Sequence, residues 1–255
     1  MEEKVIVEII LILLSAGVIA YVLLGPGSGI ASSSDREVCR ASVVAKWATT
    51  HVMADSIFQL NCKSHLTAIK GDSLPKSQIA AEDYIKKQIA NEMYDCWYEF
   101  NMGQFKLDSI LTVLKSSNSW GSKQLCIVCA DITFDKALSE NYPIITGFNN
   151  WTINNTVPGQ DYTYYDYFTN NLGEDVKDQV KARPVTEDEI NTSKDYQVLF
   201  YVLEGAQSKW SGAIGFLLGG PLGMKLGQIT QTGKYTPALL MIPVEETPEY
   251  CKVFY

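Results

Sequence analysis

The feature that most constrains this chain is an apolar run of twenty residues near its N-terminus, from Val5 to Leu24. A helix of that length spans roughly 30 Å, the hydrocarbon thickness of a bilayer. Fourteen of the twenty residues are Val, Ile or Leu, and they favour insertion by about 4 to 8 kcal/mol in total. The one charge, Glu8, lies near an end of the run. The run therefore predicts a single transmembrane helix with the lipid bilayer as its partner.

The other interpretation of an N-terminal apolar run is a cleaved signal peptide, which has a shorter apolar core after a basic start. Here residues 1–4 (MEEK) are acidic on balance, and the run leads directly into Gly25-Pro26-Gly27. A retained anchor is favoured. The predicted organisation is a tail over residues 1–4, an anchor over 5–24, a Gly/Ser-rich linker over 25–34 and one folded domain over 35–255.

Charge and motifs indicate where that domain lies. The chain has 21 Lys and Arg against 29 Asp and Glu, which argues against a nucleic-acid partner because phosphate contacts need a basic surface. The chain contains an even number of cysteines, six, and three Asn-x-Ser/Thr sequons at Asn150, Asn154 and Asn191. Such features are typical of oxidising, extracytoplasmic compartments. They predict a single-pass cell-membrane protein with an extracytoplasmic, glycosylated domain.

Helical patterns dominate the first half of the domain. Ser34 or Asp35 is suited to cap a helix that reaches about Leu60. A second helix is predicted from Ser77 to Met102, and a short third from Asp108 to Lys115. The second helix has a regular apolar face at steps of three and four, formed by Ile85, Ile89, Met93, Cys96, Trp97 and Phe100.

Strand patterns dominate the second half. Gln124 to Phe134, Tyr196 to Leu203 and Pro237 to Val244 are apolar and rich in β-branched or aromatic residues, which is typical of buried strands. A short helix is predicted through Tyr164 to Phe168. Helices followed by strands, without β-α-β alternation, predict an α+β fold in which the helices pack on a small antiparallel sheet.

Several motifs together resemble a known group of proteins. They are the N-terminal anchor, Met93-Tyr94-Asp95-Cys96-Trp97, Cys126-Ile127-Val128-Cys129, the segment from Asn191 to Tyr196, a Gly-rich insert at 205–229 and Cys251 near the C-terminus. The combination resembles membrane-anchored proteins of small-genome archaeal lineages, a group with no assigned activity. The resemblance covers most of the chain and implies an architecture without a mechanism.

The Cys126-x-x-Cys129 pair has the spacing of redox and zinc motifs. However, residues three apart on a strand project to opposite faces, so these two sulfurs are not expected to bond to each other, and a metal site at them is the less favoured interpretation. The sequence favours packed core cysteines or, in an oxidising compartment, disulfides. A straight helix would hold Cys39 and Cys62 about 33 Å apart, which predicts that they do not pair. Among the fifteen possible sets of pairings, Cys62 with Cys96, which would join the first two helices, is plausible. The candidates are Cys39, Cys62, Cys96, Cys126, Cys129 and Cys251.

Motifs for catalysis are sparse. Of the two histidines, His51 lies inside a predicted helix, and neither it nor His65 is part of a local triad or a metal-binding spacing. No catalytic residue and no cofactor is predicted, and an enzyme is the less favoured class.

The most unusual motif is a run of four glycines at steps of four, Gly215, Gly219, Gly223 and Gly227, inside an insert at 205–229. On a helix these would form a smooth ridge suited to membrane contact or self-association. Pro221 and the short apolar length oppose this. A Gly-rich connection between two strands is the slightly favoured alternative.

Three functions follow as hypotheses. The first is an anchored cell-surface domain with a structural, adhesion or interaction role, whose partners are copies of itself or other envelope proteins. The second is a surface thiol or hydrolytic enzyme that uses Cys126 or Cys129. The third is a pilin-like filament subunit, which Glu8 near the start of the apolar run suggests.

Overall fold

The computed structural model of the chain describes residues 31–49, 61–100, 124–169, 189–204 and 235–250. Within these ranges the protein is α+β, as the sequence predicts. No helix in them is long and apolar enough to cross a membrane. The predicted anchor, from Val5 to Leu24, lies outside the described residues, and so does the predicted helix from Asp108 to Lys115.

A four-stranded sheet with the order β1-β2-β5-β6 forms the centre of the fold. β2 is antiparallel to β5, and β5 is antiparallel to β6, whereas β1 is parallel to β2. The sheet is therefore mixed, and the prediction of a purely antiparallel sheet is wrong. Its strands are β1 His65–Ile69, β2 Gln124–Phe134, β5 Tyr196–Glu204 and β6 Tyr235–Pro243.

The error arises from β1, a short edge strand that no pattern in the sequence analysis indicated. Its five residues, HLTAI, alternate between half-buried and exposed until the buried Ile69, so they lack the long apolar run of β2. Parallel strands need a long crossover connection, usually helical. The segment from β1 to β2 contains helix α2, Gln78–Glu99, and thus provides that crossover.

Helix α2 packs across the inner face of the sheet. It follows Ser77, and its buried positions recur at steps of three and four. The predicted apolar face is confirmed, since all of its members are almost completely buried: Ile85, Ile89, Met93, Cys96, Trp97 and Phe100. Phe100 stacks on Phe200 of β5, with ring centroids 4.2 Å apart.

Helix α1, Ala31–Thr49, begins a few residues before the predicted start. The prediction that Cys39 and Cys62 do not pair is wrong, because the two residues form a disulfide with their Cα atoms 4.4 Å apart. The prediction that they do not pair assumed one straight helix as far as residue 60. By Asn61 the chain has returned to α1 instead, and the backbone N–H of Asn61 donates to Ser42 Oγ.

The described parts of the segment between β2 and β5 form several short elements that pack against the main apolar core. Asp135 caps helix α3, Lys136–Asn141, and also accepts from the backbone of Gly71. The predicted short helix is confirmed as α5, Tyr164–Phe168. A capping box between Thr163 and Asp166 stabilises its N-terminus. The remaining elements are a two-stranded sheet of β3 Ile144–Ile145 with β4 Ile190–Asn191, and helix α4, Phe148–Asn154.

The Gly-rich segment occupies the connection between β5 and β6, residues 205–234. These two strands pair with each other, so the segment joins neighbouring antiparallel strands. Gly215, Gly219, Gly223 and Gly227 lie outside the described residues. The chain continues after β6 through a 3-10 turn, Val244–Glu246, into helix α6, Thr247–Tyr250.

A second disulfide, Cys96–Cys129, joins α2 to β2 inside the core. The predicted pairing of Cys62 with Cys96 is therefore wrong. It was inferred from the neighbouring helices alone, whereas the cysteine face of α2 is directed toward the sheet. Both sulfur-bearing residues are almost completely buried.

We expect the Cys96→Ala/Cys129→Ala variant to lose about 3–4 kcal/mol of unfolding free energy, since the cross-link closes a loop with a sequence separation of 33. Urea unfolding followed by circular dichroism would measure the loss. The Cys39→Ala/Cys62→Ala variant serves as the comparison, with a shorter separation of 23. An unchanged urea midpoint in the first variant would contradict a structural role for the bond.

Cys126 is also disulfide-bonded. Cys251 lies outside the described residues and is the one remaining cysteine of the sequence. We therefore predict a Cys126–Cys251 disulfide. Peptide mapping of the non-reduced protein by mass spectrometry should recover one linked peptide that contains both residues, and a linked peptide that joins Cys126 to any other cysteine would refute the assignment.

Candidate functional site

Three carboxylates lie along one side of α2, beside its apolar face. Glu92, Asp95 and Glu99 follow one another at steps of three and four, so they occupy neighbouring turns of the same helix side. Glu99 is 2% exposed, although it carries an ionisable group. We call these three residues the acidic cluster.

Strand β1 supplies two of the partners of the acidic cluster. Thr67 Oγ1 donates a hydrogen bond to Glu92 Oε1 at 2.6 Å. His65 Nε2 lies 3.6 Å from Glu99 Oε1, which is within ion-pair range and longer than a hydrogen bond. The half-buried side of this edge strand thus faces the acidic cluster.

Helix α1 supplies a further charged partner. Arg36 forms a hydrogen-bonded ion pair with Asp95, and the two side chains are 28% and 34% exposed. A second contact lies nearby, where the Tyr98 hydroxyl donates to Glu37 Oε1 at 3.1 Å. The acidic cluster therefore lies where α1, α2 and β1 meet.

Burial determines the electrostatics of the acidic cluster. It raises the pKa of Glu99 to about 8, and the neighbouring charge of Asp95 adds to the rise. Burial also raises the pKa of Glu92, against the hydrogen bond from Thr67. For Asp95 burial again raises the pKa, while the opposite charge of Arg36 limits the increase.

This arrangement can bind and release a proton near neutral pH. Deprotonation of Glu99 creates a buried negative charge beside two other carboxylates, and the described ion-pair partner of Glu99 is His65, which carries a charge only when protonated. A buried charge is costly unless it is paired. The protonation state of Glu99 is therefore coupled to how closely the three elements pack.

An aromatic array extends the same interface. The guanidinium carbon of Arg40 lies 3.9 Å from the ring centroid of Tyr98. The ring of Tyr94 is stacked beside that of Tyr98, with the two centroids 6.4 Å apart. The stack continues to Tyr167 of α5, whose ring centroid is 4.4 Å from that of Tyr94, and then to Tyr162. Such cation–π and ring contacts each contribute about 0.5–1.5 kcal/mol, so they stabilise the attachment of α1 and α5 to α2.

The structure separates the two cysteines of the Cys-x-x-Cys motif. Cys126 packs with Leu199, Tyr201 and Ile242 on one face of the sheet, whereas Cys129 belongs to the main core on the other face. Their projection to opposite faces, which the strand pattern predicts, is confirmed. Both are in disulfides, so neither position carries a free thiol.

The three predicted glycosylation residues lie at different depths. Asn150 and Asn154 are exposed, one turn apart on α4, and the side-chain amide of Asn154 donates to the backbone oxygen of Asn150. Asn191 is half-buried, and its Oδ1 accepts from the Ser193 hydroxyl at 2.7 Å. Glycosylation of these residues stays a prediction.

Other candidate residues contribute no described site. Gly215, Gly219, Gly223, Gly227 and His51 lie outside the ranges that the structure describes. Within those ranges no group of three His, Cys, Asp or Glu side chains is placed to hold a metal ion.

No protein family model, curated protein or solved structure was found to match this chain. The resemblance to membrane-anchored archaeal proteins therefore stays a prediction.

Sequence analysis missed the acidic cluster, although one signal was present. Acidic residues at 92, 95 and 99 share one side of a helix whose other side is apolar, and none of them has a Lys or Arg four residues away. Such a side is usually solvated. Its burial depends on Arg36 and His65, which lie far away in the sequence and which no local pattern connects to α2.

We expect Arg36→Met to lower the unfolding free energy by about 1–3 kcal/mol, because Asp95 would lose its cationic partner. The loss should be smaller than for a completely buried pair, since both side chains keep some contact with water. Lys63→Met is the matched control, because Lys63 is 72% exposed and 4.0 Å from Asp35. Equal urea midpoints for the two variants would contradict a stabilising role for the Arg36–Asp95 pair.

Proposed function

We propose that this protein is a non-enzymatic domain held outside the cytoplasm on an N-terminal membrane anchor, with a structural, adhesion or interaction role at the cell surface. The observation that carries the proposal is the use of cysteine. Cys39–Cys62 and Cys96–Cys129 are disulfides, Cys126 is bonded as well, and no described cysteine is free. Disulfides persist in oxidising compartments and are rare in the cytosol.

The position of α1 supports the anchored arrangement. Only six residues, 25–30, separate the apolar run from the first described residue of α1. The Cys39–Cys62 disulfide and the Arg36–Asp95 ion pair attach α1 to the rest of the domain. A helix fixed in this way would transmit the orientation of the anchor directly to the folded domain.

The described surface supports a role in contact rather than in catalysis. Leu66 on the edge strand β1 and Ile79 in the first turn of α2 are large apolar side chains that are 73% and 76% exposed. Strand β1 pairs with one neighbour in the described sheet, and exposed edge strands are suited to association with another chain. Copies of the same chain or other envelope proteins are the proposed partners.

The thiol-enzyme hypothesis receives no such support. Cys126 and Cys129 are both oxidised, and a thiolate is the species that attacks in such chemistry. The pilin-like hypothesis depends on residues 4–8, which lie outside the described part of the chain. The proposed function therefore requires neither.

The orientation can be tested with two matched variants of the full-length chain, Lys76→Cys and Lys4→Cys. Lys76 is exposed in the folded domain, whereas Lys4 lies on the other side of the apolar run. We expect a membrane-impermeant maleimide to label Lys76→Cys on intact cells and to label Lys4→Cys only after lysis. Non-reducing peptide mapping should verify that the native disulfides are kept in both variants.

The reverse labelling pattern would place the domain in the cytoplasm and overturn the proposal. Recovery of the domain in the medium without residue 4 would show that the apolar run is cleaved and is not a retained anchor. Either result is independent of how the folded domain behaves after purification.

A further inference from the structure

We propose that the contact between α1 and the rest of the domain is a proton-controlled joint, closed when the acidic cluster holds a proton and loosened when all three carboxylates are charged. The joint consists of α1, the acidic cluster on α2 and the facing side of β1. Its effect on orientation relative to a membrane rests on the proposed function, whereas the proton dependence itself does not.

Acidic groups outnumber basic groups among the described residues at this interface. Helix α2 contributes three carboxylates, Glu92, Asp95 and Glu99. The described basic groups that pair with them are Arg36 from α1 and His65 from β1, and the histidine is charged only when protonated. Since Arg36 stays charged at all relevant pH values, three ionised carboxylates would share one permanent cation and one histidine.

The carboxylate of Glu99 is almost completely buried. Its side chain is 2% exposed, and His65 Nε2, which carries a charge only when protonated, is 3.6 Å away. Once Glu99 is ionised, water cannot solvate the charge unless the surrounding elements separate. Separation of α1 from α2 would also allow water to reach Asp95, whose partner is on α1.

Helix α1 could shift relative to α2 and still remain attached to the domain. The Cys39–Cys62 disulfide keeps α1 covalently joined to the segment that precedes β1. The ion pair Arg36–Asp95, the hydrogen bond from Tyr98 to Glu37 and the Arg40–Tyr98 contact are all non-covalent. Loss of these contacts would therefore change the angle of α1 while the disulfide limits its travel.

The direction of the effect follows from the raised pKa of Glu99, about 8 in the folded protein against an ordinary 4.5. A group that binds its proton more tightly in the closed state favours that state at low pH, and this preference is lost as the pH rises through about 8. The pKa values of Glu92 and Asp95 are raised as well, so they act in the same direction. Acid therefore closes the joint and alkali loosens it.

Hydrogen exchange of the full-length protein in detergent, corrected for the intrinsic pH dependence of exchange, would test the joint. We expect peptides from residues 31–49 to lose protection severalfold per pH unit between pH 6 and 8, with about tenfold per unit as the limit for one released proton. Peptides from α4 should show no such loss. Constant protection of residues 31–49 in the wild-type protein would overturn the proposal without any variant.

Two matched substitutions assign the effect. Glu99→Gln keeps the shape of the protonated side chain, so its α1 peptides should stay protected at pH 8. Glu82→Gln, on the same helix beside Lys86, should behave like the wild type. A Glu99→Gln protein that loosens with pH as the wild type does would refute the role of Glu99, whatever the labelling experiment shows about the compartment.

Discussion

The packing of α2 against the inner face of the sheet is the interaction on which the rest of this structure depends. Its apolar face contacts β2, β5 and β6, and its sides contact α1, α4 and α5. Large side chains such as Ile85, Ile89 and Trp97 are almost completely buried, and each contributes roughly 1.5–3 kcal/mol relative to exposure. The Cys96–Cys129 disulfide lies within this contact, so a covalent cross-link and buried apolar side chains stabilise the same pair of elements.

The same helix also presents a second, charged side, and the two sides have opposite energetic effects. Burial of apolar groups stabilises α2 on the sheet, whereas burial of Glu92, Asp95 and Glu99 costs free energy that Arg36, His65 and proton binding offset only in part. The Cys39–Cys62 bond adds a covalent attachment of α1 on this charged side of the fold. Because α1 covers the charged side, non-covalent packing alone would hold it less firmly than the apolar side holds the sheet, and the disulfide compensates for the weaker contact.

Sequence patterns within single elements were enough to predict several of the helices and strands. The period of α2 and the apolar runs of β2 and β5 identified those elements to within a few residues, and a short aromatic run marked α5. Strand β1 was missed because an edge strand of five residues carries little apolar signal, and with it the parallel pairing was missed. The Cys39–Cys62 pair was excluded wrongly because one straight helix was assumed up to about Leu60, whereas Cys62 lies beside Cys39. The acidic cluster could not be found locally, since the Arg36–Asp95 contact joins residues 59 positions apart.

Strand β2 relates these contacts to the function that we propose. It carries Cys129 into the core beneath α2 and Cys126 into a second apolar cluster on the opposite face, beside Leu199 and Tyr201. Burial raises the pKa of Tyr201 to about 12, so its hydroxyl stays neutral and the second cluster remains uncharged. A central strand with a disulfide on each face cannot leave either apolar cluster without breaking a covalent bond or unfolding the sheet. Such a strand provides a fixed centre against which the proposed movement of α1 would take place.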